Sequence, residues 1–344
     1  MSTRRHFGVP VLTALVLAAS MGLSACGGGT STAESSSSGA SSGTYDGTVT
    51  LARSSWIGFL PLDLAAKKGF FKNHGVDVAV TSFESKSDSR AALVSGKIQG
   101  IATTIDTQVM SASSGVKVTV PLVLDTSYGG DGLVGKKDIK TFKDLKGRTV
   151  ALDTSGGASF FWFNYELNEN GMTMNDVKVT NMSSGDAGSA FVAGQVDAAM
   201  TWEPWLSKAR ETDFGHVVLD SKAVPGVILD TLGLSSDFVK QYPKTVQGIV
   251  DGWFDALAYL ESNKDDAIKT MAEASGVSQS DLEGELSGIK FYSKAENATL
   301  FGTSSTPGNL TKIANTANDL WVSTGLSTSK ADISALLNSS FVQK

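Results

Sequence analysis

Residues 48–53 alternate, with Val49 and Leu51 on one face, and predict a first strand. A loop over 54–59 leads to Pro61, which suits the first turn of a helix expected to run to about Asn73. Apolar runs at 76–82, 98–103 and 117–124 read as strands, separated by helical patterns at 88–95 and 106–114. A Gly-rich segment at 125–132 reads as a crossing, after which the order returns. It gives a short helix at 140–146, a strand at 148–152, a loop at 153–158 and a helix at 159–170. A strand at 177–182, a helix at 186–193 and strands at 198–202 and 217–220 complete this half. Residues 227–234 cross back, and helices are expected to start at Pro243, Asn263, Ser278 and Thr306-Pro307. That tail is expected to pack on the first half. Strands alternating with helices place the chain in the α/β class, with mostly parallel sheets covered on both faces.

Within this order lies an internal repeat. Residues 92–104 align with 190–202 at a constant offset of 98, each reading as the end of a helix, a Gly cap (Gly96, Gly194) and a short strand. One repeat of this length suits two similar lobes better than a solenoid. The residues after the two strands would then face each other across a cleft. In the second copy these are Trp202, Glu203, Pro204 and Trp205, and Pro204, lacking an N–H, ends the strand.

The start of the chain stands apart. Arg4 and Arg5 precede an apolar run at 9–19 and then Leu23-Ser24-Ala25-Cys26, a secretory signal too short to span a membrane. Leu23-Ser24-Ala25-Cys26 resembles the bacterial lipobox, which implies cleavage at 1–25 and lipid on Cys26. Anchoring to the outer face of the cell membrane, or its periplasmic side, follows from that resemblance. Residues 26–47 are mainly Gly, Ser, Thr and Ala, a flexible tether with a mean span of about 25 Å. Gly39-x-Ser41-x-Gly43 matches a hydrolase motif, but it lacks the flanking strand and helix that chemistry needs. Without residues 1–25 the chain carries 27 basic and 35 acidic side chains, a net charge of −8 that disfavours nucleic acid as a partner. A single Cys excludes disulfides within the chain.

Ordered motifs then carry a resemblance. They are Trp56-x-Gly58 with Pro61-Leu62-x-Leu64-Ala65 and Gly69-Phe70-Phe71, then Asp144-Leu145-Lys146-Gly147-Arg148-x-Val150-Ala151, then Gly194-x-Val196-Asp197-Ala198. Together they resemble the substrate-binding proteins of ABC importers for nitrate, taurine, aliphatic sulfonates and thiamine-pyrimidine precursors. The resemblance implies a type II periplasmic-binding-protein fold, two α/β lobes joined by two crossing strands with ligand between them. It also implies a membrane permease and its ATPase as partners, a monomer, and no cofactor. Lobe 1 is expected at 48–130 and 230–344, the latter ending in the helical tail, and lobe 2 at 131–229.

The candidate ligand-binding residues lie where strands end. Ser155, Gly156, Gly157 and Ser159 precede a helix whose free N–H groups and dipole would receive an anionic group. The plainer reading of that loop is a Gly-rich turn capped by Ser159. Trp56 and Trp202 could cover a small ligand or fill the core. Gly58 accompanies Trp56, Thr104 offers a hydroxyl, and Asp131 either lines the cleft or forms its turn. Between 149 and 206 Lys178 is the sole basic residue against seven acids, Glu203 among them. If Glu203 or Asp131 points inward, a pure anion is disfavoured. A zwitterion such as taurine would then place its sulfonate at 155–159 and its amine at Glu203. Nitrate or another small anion, and a cationic pyrimidine or guanidine-like compound, stay as alternatives. An enzyme of the pyrimidine-synthase type fits less well, since its cysteine-rich motif is missing and His6, His74 and His216 do not cluster.

Overall fold

The computed structural model describes residues 43–83 and 85–343. The signal segment, Cys26 and the tether up to residue 42 lie outside the described residues. The strands, in chain order, are β1 (Val49–Arg53), β2 (Val78–Ser82), β3 (Gly100–Thr104), β4 (Val118–Ser127) and β5 (Asp131–Lys136). Then come β6 (Thr149–Leu152), β7 (Lys178–Asn181), β8 (Ala198–Trp202), β9 (Gly215–Asp220), β10 (Leu229–Ser235) and β11 (Ile289–Phe291). They form one sheet in the order β11-β4-β10-β3-β1-β2 and a second in the order β7-β6-β8-β5-β9.

The two sheets share one plan. β1 pairs in parallel with β2 and β3, as β6 does with β7 and β8. Next in each sheet comes an antiparallel strand supplied from across the molecule: β10 beside β3, and β5 beside β8. The chain therefore crosses between sheets twice, once between β4 and β5 and once between β9 and β10. Parallel pairing is confined to one end of each sheet, β3-β1-β2 and β7-β6-β8, so the expected mostly parallel sheets are in fact mixed. The internal repeat is structural. Helix Lys86–Val94 and β3 recur 98 residues later as helix Ser184–Val192 and β8. Even the caps correspond: Ser85 Oγ accepts from Asp88 N and Ser183 Oγ from Asp186 N, both at 3.2 Å. Gly96 and Gly194 both sit at φ +74°, a left-handed turn that only glycine adopts without strain.

The Gly-rich crossing expected at 125–132 is shorter in the structure. β4 continues to Ser127, where the hydroxyls of Thr126 and Ser127 find partners beside the sheet. Thr126 Oγ1 donates to Ile228 O at 2.6 Å, and Ser127 Oγ lies 2.8 Å from Ser221 Oγ. β5 then begins at Asp131, and Gly132 allows Leu206 to close on it, since a Cβ there would lie 2.8 Å from Leu206 Cδ2.

The tail is helical as expected, with helices Pro243–Ser262, Lys264–Ser275, Gln279–Leu286 and Asn309–Ser323 among others. Helix Pro243–Ser262 packs on helix Leu60–Lys68 and on Phe71, where a Cβ at Gly252 would come within 2.6 Å of Phe71 Cδ1. The tail touches the second half as well. Fully buried Trp321 packs against Phe160 and Phe161, with ring centroids 6.1 Å from each, and donates to Asp106 O at 2.8 Å.

Candidate functional site

The carboxyl ends of the parallel strands of both sheets converge with the two crossing strands on a cavity of about 160 Å³. Open α/β sheets bind ligands at these strand ends because the loops there are free to vary while the sheet stays fixed. A dry cavity of about 150 Å³ holds a benzene ring, so the space suits a small molecule. From the first sheet come the loop after β1, with Trp56, the end of β3, with Thr104, and the start of β10, with Asp230. Asp131 at the start of β5, Ser159 and Trp202 come from the second.

Several of these groups are held by hydrogen bonds. Trp56 Nε1 donates to Asp125 Oδ1 at 3.3 Å, which turns the indole into a wall. Gly58 sits behind that wall and does not line the cavity. A Cβ there would lie 2.5 Å from Trp56 Nε1 and 2.7 Å from Asp125 Oδ2. Thr104 Oγ1 lies 3.0 Å from Thr107 Oγ1, and Ser159 Oγ lies 2.9 Å from Ser184 Oγ. Helix Ala158–Glu169 has no side-chain cap, and its first residues, Ala158 and Ser159, line the cavity with Gly156.

Of the other loop residues, Ser155 is exposed and turns away, its hydroxyl donating to Asp153 Oδ1 at 2.6 Å. Gly157, at φ +97°, faces Lys86, whose Nζ a Cβ would meet at 2.3 Å. Lys86 Nζ donates to Gly156 O at 2.7 Å, a bond that joins the helix after β2 to the loop after β6.

Glu203 is the main departure from the sequence reading. Its carboxylate accepts from Ser207 N at 3.0 Å, Ser207 Oγ at 3.1 Å and Arg210 Nη1 at 3.1 Å. It thus caps helix Trp205–Glu211, which the sequence reading did not foresee, and lies on an outer groove that adjoins the cavity and shares Trp56, Lys86, Asp153, Ser184 and Trp202 with it. In this structure the Glu203 carboxylate is taken up by Ser207 and Arg210 and does not itself line the cavity. Trp205 also lies in the outer groove, with Lys208 Nζ 4.4 Å from its ring centroid.

A carboxyl that does line the cavity is that of Asp230, which was not singled out. It stands alone in the apolar run Val227-Ile228-Leu229-Asp230-Thr231-Leu232, on the second crossing, as Asp131 stands on the first. An acid within each crossing, with Asp125 and Asp131 both on the first, was the available signal. Asp230 is 3% exposed and Asp131 5%. Burial pushes the Asp131 carboxyl up to about 6, against a smaller opposing effect of Ser127. Burial, and then the neighbouring charges of Asp125 and Asp131, hold Asp230 well above the usual carboxylate range. Two cations also border the cavity. Arg53, 7% exposed, is bound through Nε to Asp63 Oδ2 at 2.6 Å, and Lys86 is held as above. The arrangement offers buried carboxyls for a positive group, and a helix N-terminus with lysine for a negative one.

Comparison with known proteins places this geometry. A protein of Brucella abortus (strain 2308), named as a candidate binding protein, is 24% identical over 265 residues, covering 76% of this chain and 81% of that protein. The bicarbonate-binding protein CmpA of Synechococcus elongatus is 24% identical over 229 residues, covering 58% of this chain and 51% of that protein. The crystal structure of the periplasmic aliphatic sulphonate binding protein SsuA from Escherichia coli superposes with a TM-score of 0.71 at 18% identity. That match covers 87% of this chain and all of the other. The fold is accordingly that of the periplasmic binding proteins, as the resemblance implied. A model of the NMT1-like family matches residues 44–276, and the chain belongs to the NMT1-like family.

Proposed function

We propose that this protein is the extracytoplasmic solute-binding component of an ABC importer, not an enzyme, and that its ligand is small and carries a positive group. The observation that carries the ligand reading is the pair of buried carboxyls, Asp131 and Asp230, on one cavity. An uncompensated buried charge costs several kcal/mol, and an ammonium or similar group would offset it. A zwitterion fits best, because the uncapped helix N-terminus and Lys86 provide for an acid group in the same space. Its amine would face Asp131 and Asp230, not Glu203. The lobes are proposed at 48–130 with 230–344 and at 131–229, following the two sheets. Ligand favours the closed arrangement through contacts made to both.

Asp230→Asn and Asp131→Asn are each expected to weaken binding of a positively charged ligand by about 2 kcal/mol, roughly thirtyfold, with the fold retained. Calorimetry on ligands found by a thermal-shift panel measures this. Equal affinity in both variants would sink the assignment. A second reading, a simple anion, is favoured by Arg53 and Lys86 and by relatives named for sulphonate and bicarbonate. It predicts that both Asn variants bind more tightly.

Export and anchoring through lipid on Cys26 belong to the same proposal. Among the described residues no helix is long and apolar enough to cross a membrane. Cys26→Ser is expected to move the protein from the membrane to the soluble fraction, and unchanged membrane recovery would contradict the anchor.

A further inference from the structure

Behind the cavity lies a carboxyl that the proposed ligand would not touch. Asp125 is fully buried on β4, directly opposite Asp230 on β10 in antiparallel register. Cross-strand neighbours of this kind have their side chains on one face, and like charges there repel. One oxygen of Asp125 accepts from Trp56; the other, Oδ2, has no hydrogen-bond partner. The charges that bear on the two carboxyls come from Asp131 on β5 and Asp106 in helix Ile105–Ser113, and all are negative. Tyr292, following β11, also faces Asp125 and is held in its neutral form by burial. Asp125 itself is pushed up to about 7, chiefly by burial. Two opposed carboxylates in such surroundings cannot both be ionised, and a proton held between them relieves the repulsion.

We propose that Asp125 is a specificity-determining positioning residue, sharing one proton with Asp230 while the cavity is empty, and that a positive ligand group arriving at Asp230 displaces this proton to solvent. The displacement rests on the reading of the ligand as positively charged; the shared proton does not. No bond to carbon changes, and the proton lost by the pair appears in the buffer. Asp125 thereby acts through its neighbours. It orients the Trp56 wall and sets how much negative charge Asp230 presents. Below the titration of the pair, affinity for a positively charged ligand should tighten about tenfold per pH unit, the slope for one proton released.

The test is a titration of aspartate carboxyl carbons by NMR on the empty, unanchored protein from pH 4 to 9. Wild type should show two carboxyls titrating together, the upper step near neutral pH. Asp125→Asn keeps an oxygen to accept from Trp56, and should remove that step and lower the titration of Asp230. Asp230→Asn serves as the reciprocal variant should the first fail to fold. Ionisation of both carboxyls throughout pH 5–8, or an Asp230 titration unchanged in Asp125→Asn, would overturn the shared proton. Repeating the titration with amines, guanidines and taurine at saturating concentration tests displacement. Loss of the upper step on binding supports it, and persistence of the step overturns it. If the empty protein shows the step but no positively charged compound binds, the shared proton stands and both the displacement and the charge reading fall.

Discussion

Glu203→Ala is expected to leave ligand affinity unchanged and to lower stability by about 1 kcal/mol, the usual worth of a lost helix cap. Chemical denaturation with calorimetry separates the two effects, and a large loss of affinity would return Glu203 to the site. The contrast with Asp230 shows what is legible residue by residue. Glu203 drew attention because it stands beside two tryptophans at a strand end, yet its bonds to Ser207 and Arg210 lie within the following turns. Asp230 was hidden by its apolar neighbours, which read only as a buried strand. Which carboxylate faces a cavity depends on the twist and partner of the strand, and single positions do not carry that. Asp197 and Asp144, prominent in the motifs, serve the fold. Asp197 binds Lys136 Nζ at 2.7 Å and Thr149 N at 3.0 Å, and Asp144 closes a capping box with Thr141.

Elements were read most securely where period and caps agreed. The 98-residue repeat survives to the level of matching serine caps, because each copy encodes a whole helix–turn–strand unit locally. β5 and β11 were not foreseen. β5 contains two glycines and starts with a buried Asp, and β11 is three residues held at a sheet edge by β4, so tertiary pairing decides both. The helix crossing at Gly252 gives a prediction at this scale. Gly252→Ala should destabilise by about 1–3 kcal/mol, because the added methyl meets Phe71 in a packed core. An unchanged midpoint of denaturation would show that the two helices separate freely. Gly58→Ala should act differently, displacing Trp56 and weakening ligand binding more than stability.

For the molecule as a whole, the buried carboxyls set a pH dependence. Asp106, Asp125, Asp131 and Asp230 are all raised in the folded state, chiefly by burial. Their stabilising contribution is complete below the unfolded value near 4 and is lost as pH rises through the folded values, about 6 for Asp131. The lowered group, such as Asp77, Asp144 and Asp176, loses its contribution only as pH falls below about 4. The empty protein should therefore melt at a higher temperature at pH 5 than at pH 8, and a bound positive group should narrow the difference. A rise in melting temperature from pH 5 to 8 would contradict the buried acidic cavity. The central claim, a cavity between two sheets that takes a small ligand by its positive group, is tested most directly by thermal shift with matched pairs. Each amine, guanidine or zwitterion is set beside its analogue lacking the positive group, against wild type and Asp230→Asn. Ligand at 100 times its dissociation constant adds about 2.7 kcal/mol, a shift easily seen. The account predicts stabilisation by the charged member of a pair alone, lost in Asp230→Asn; equal stabilisation by the uncharged or purely anionic member, retained in Asp230→Asn, would contradict it.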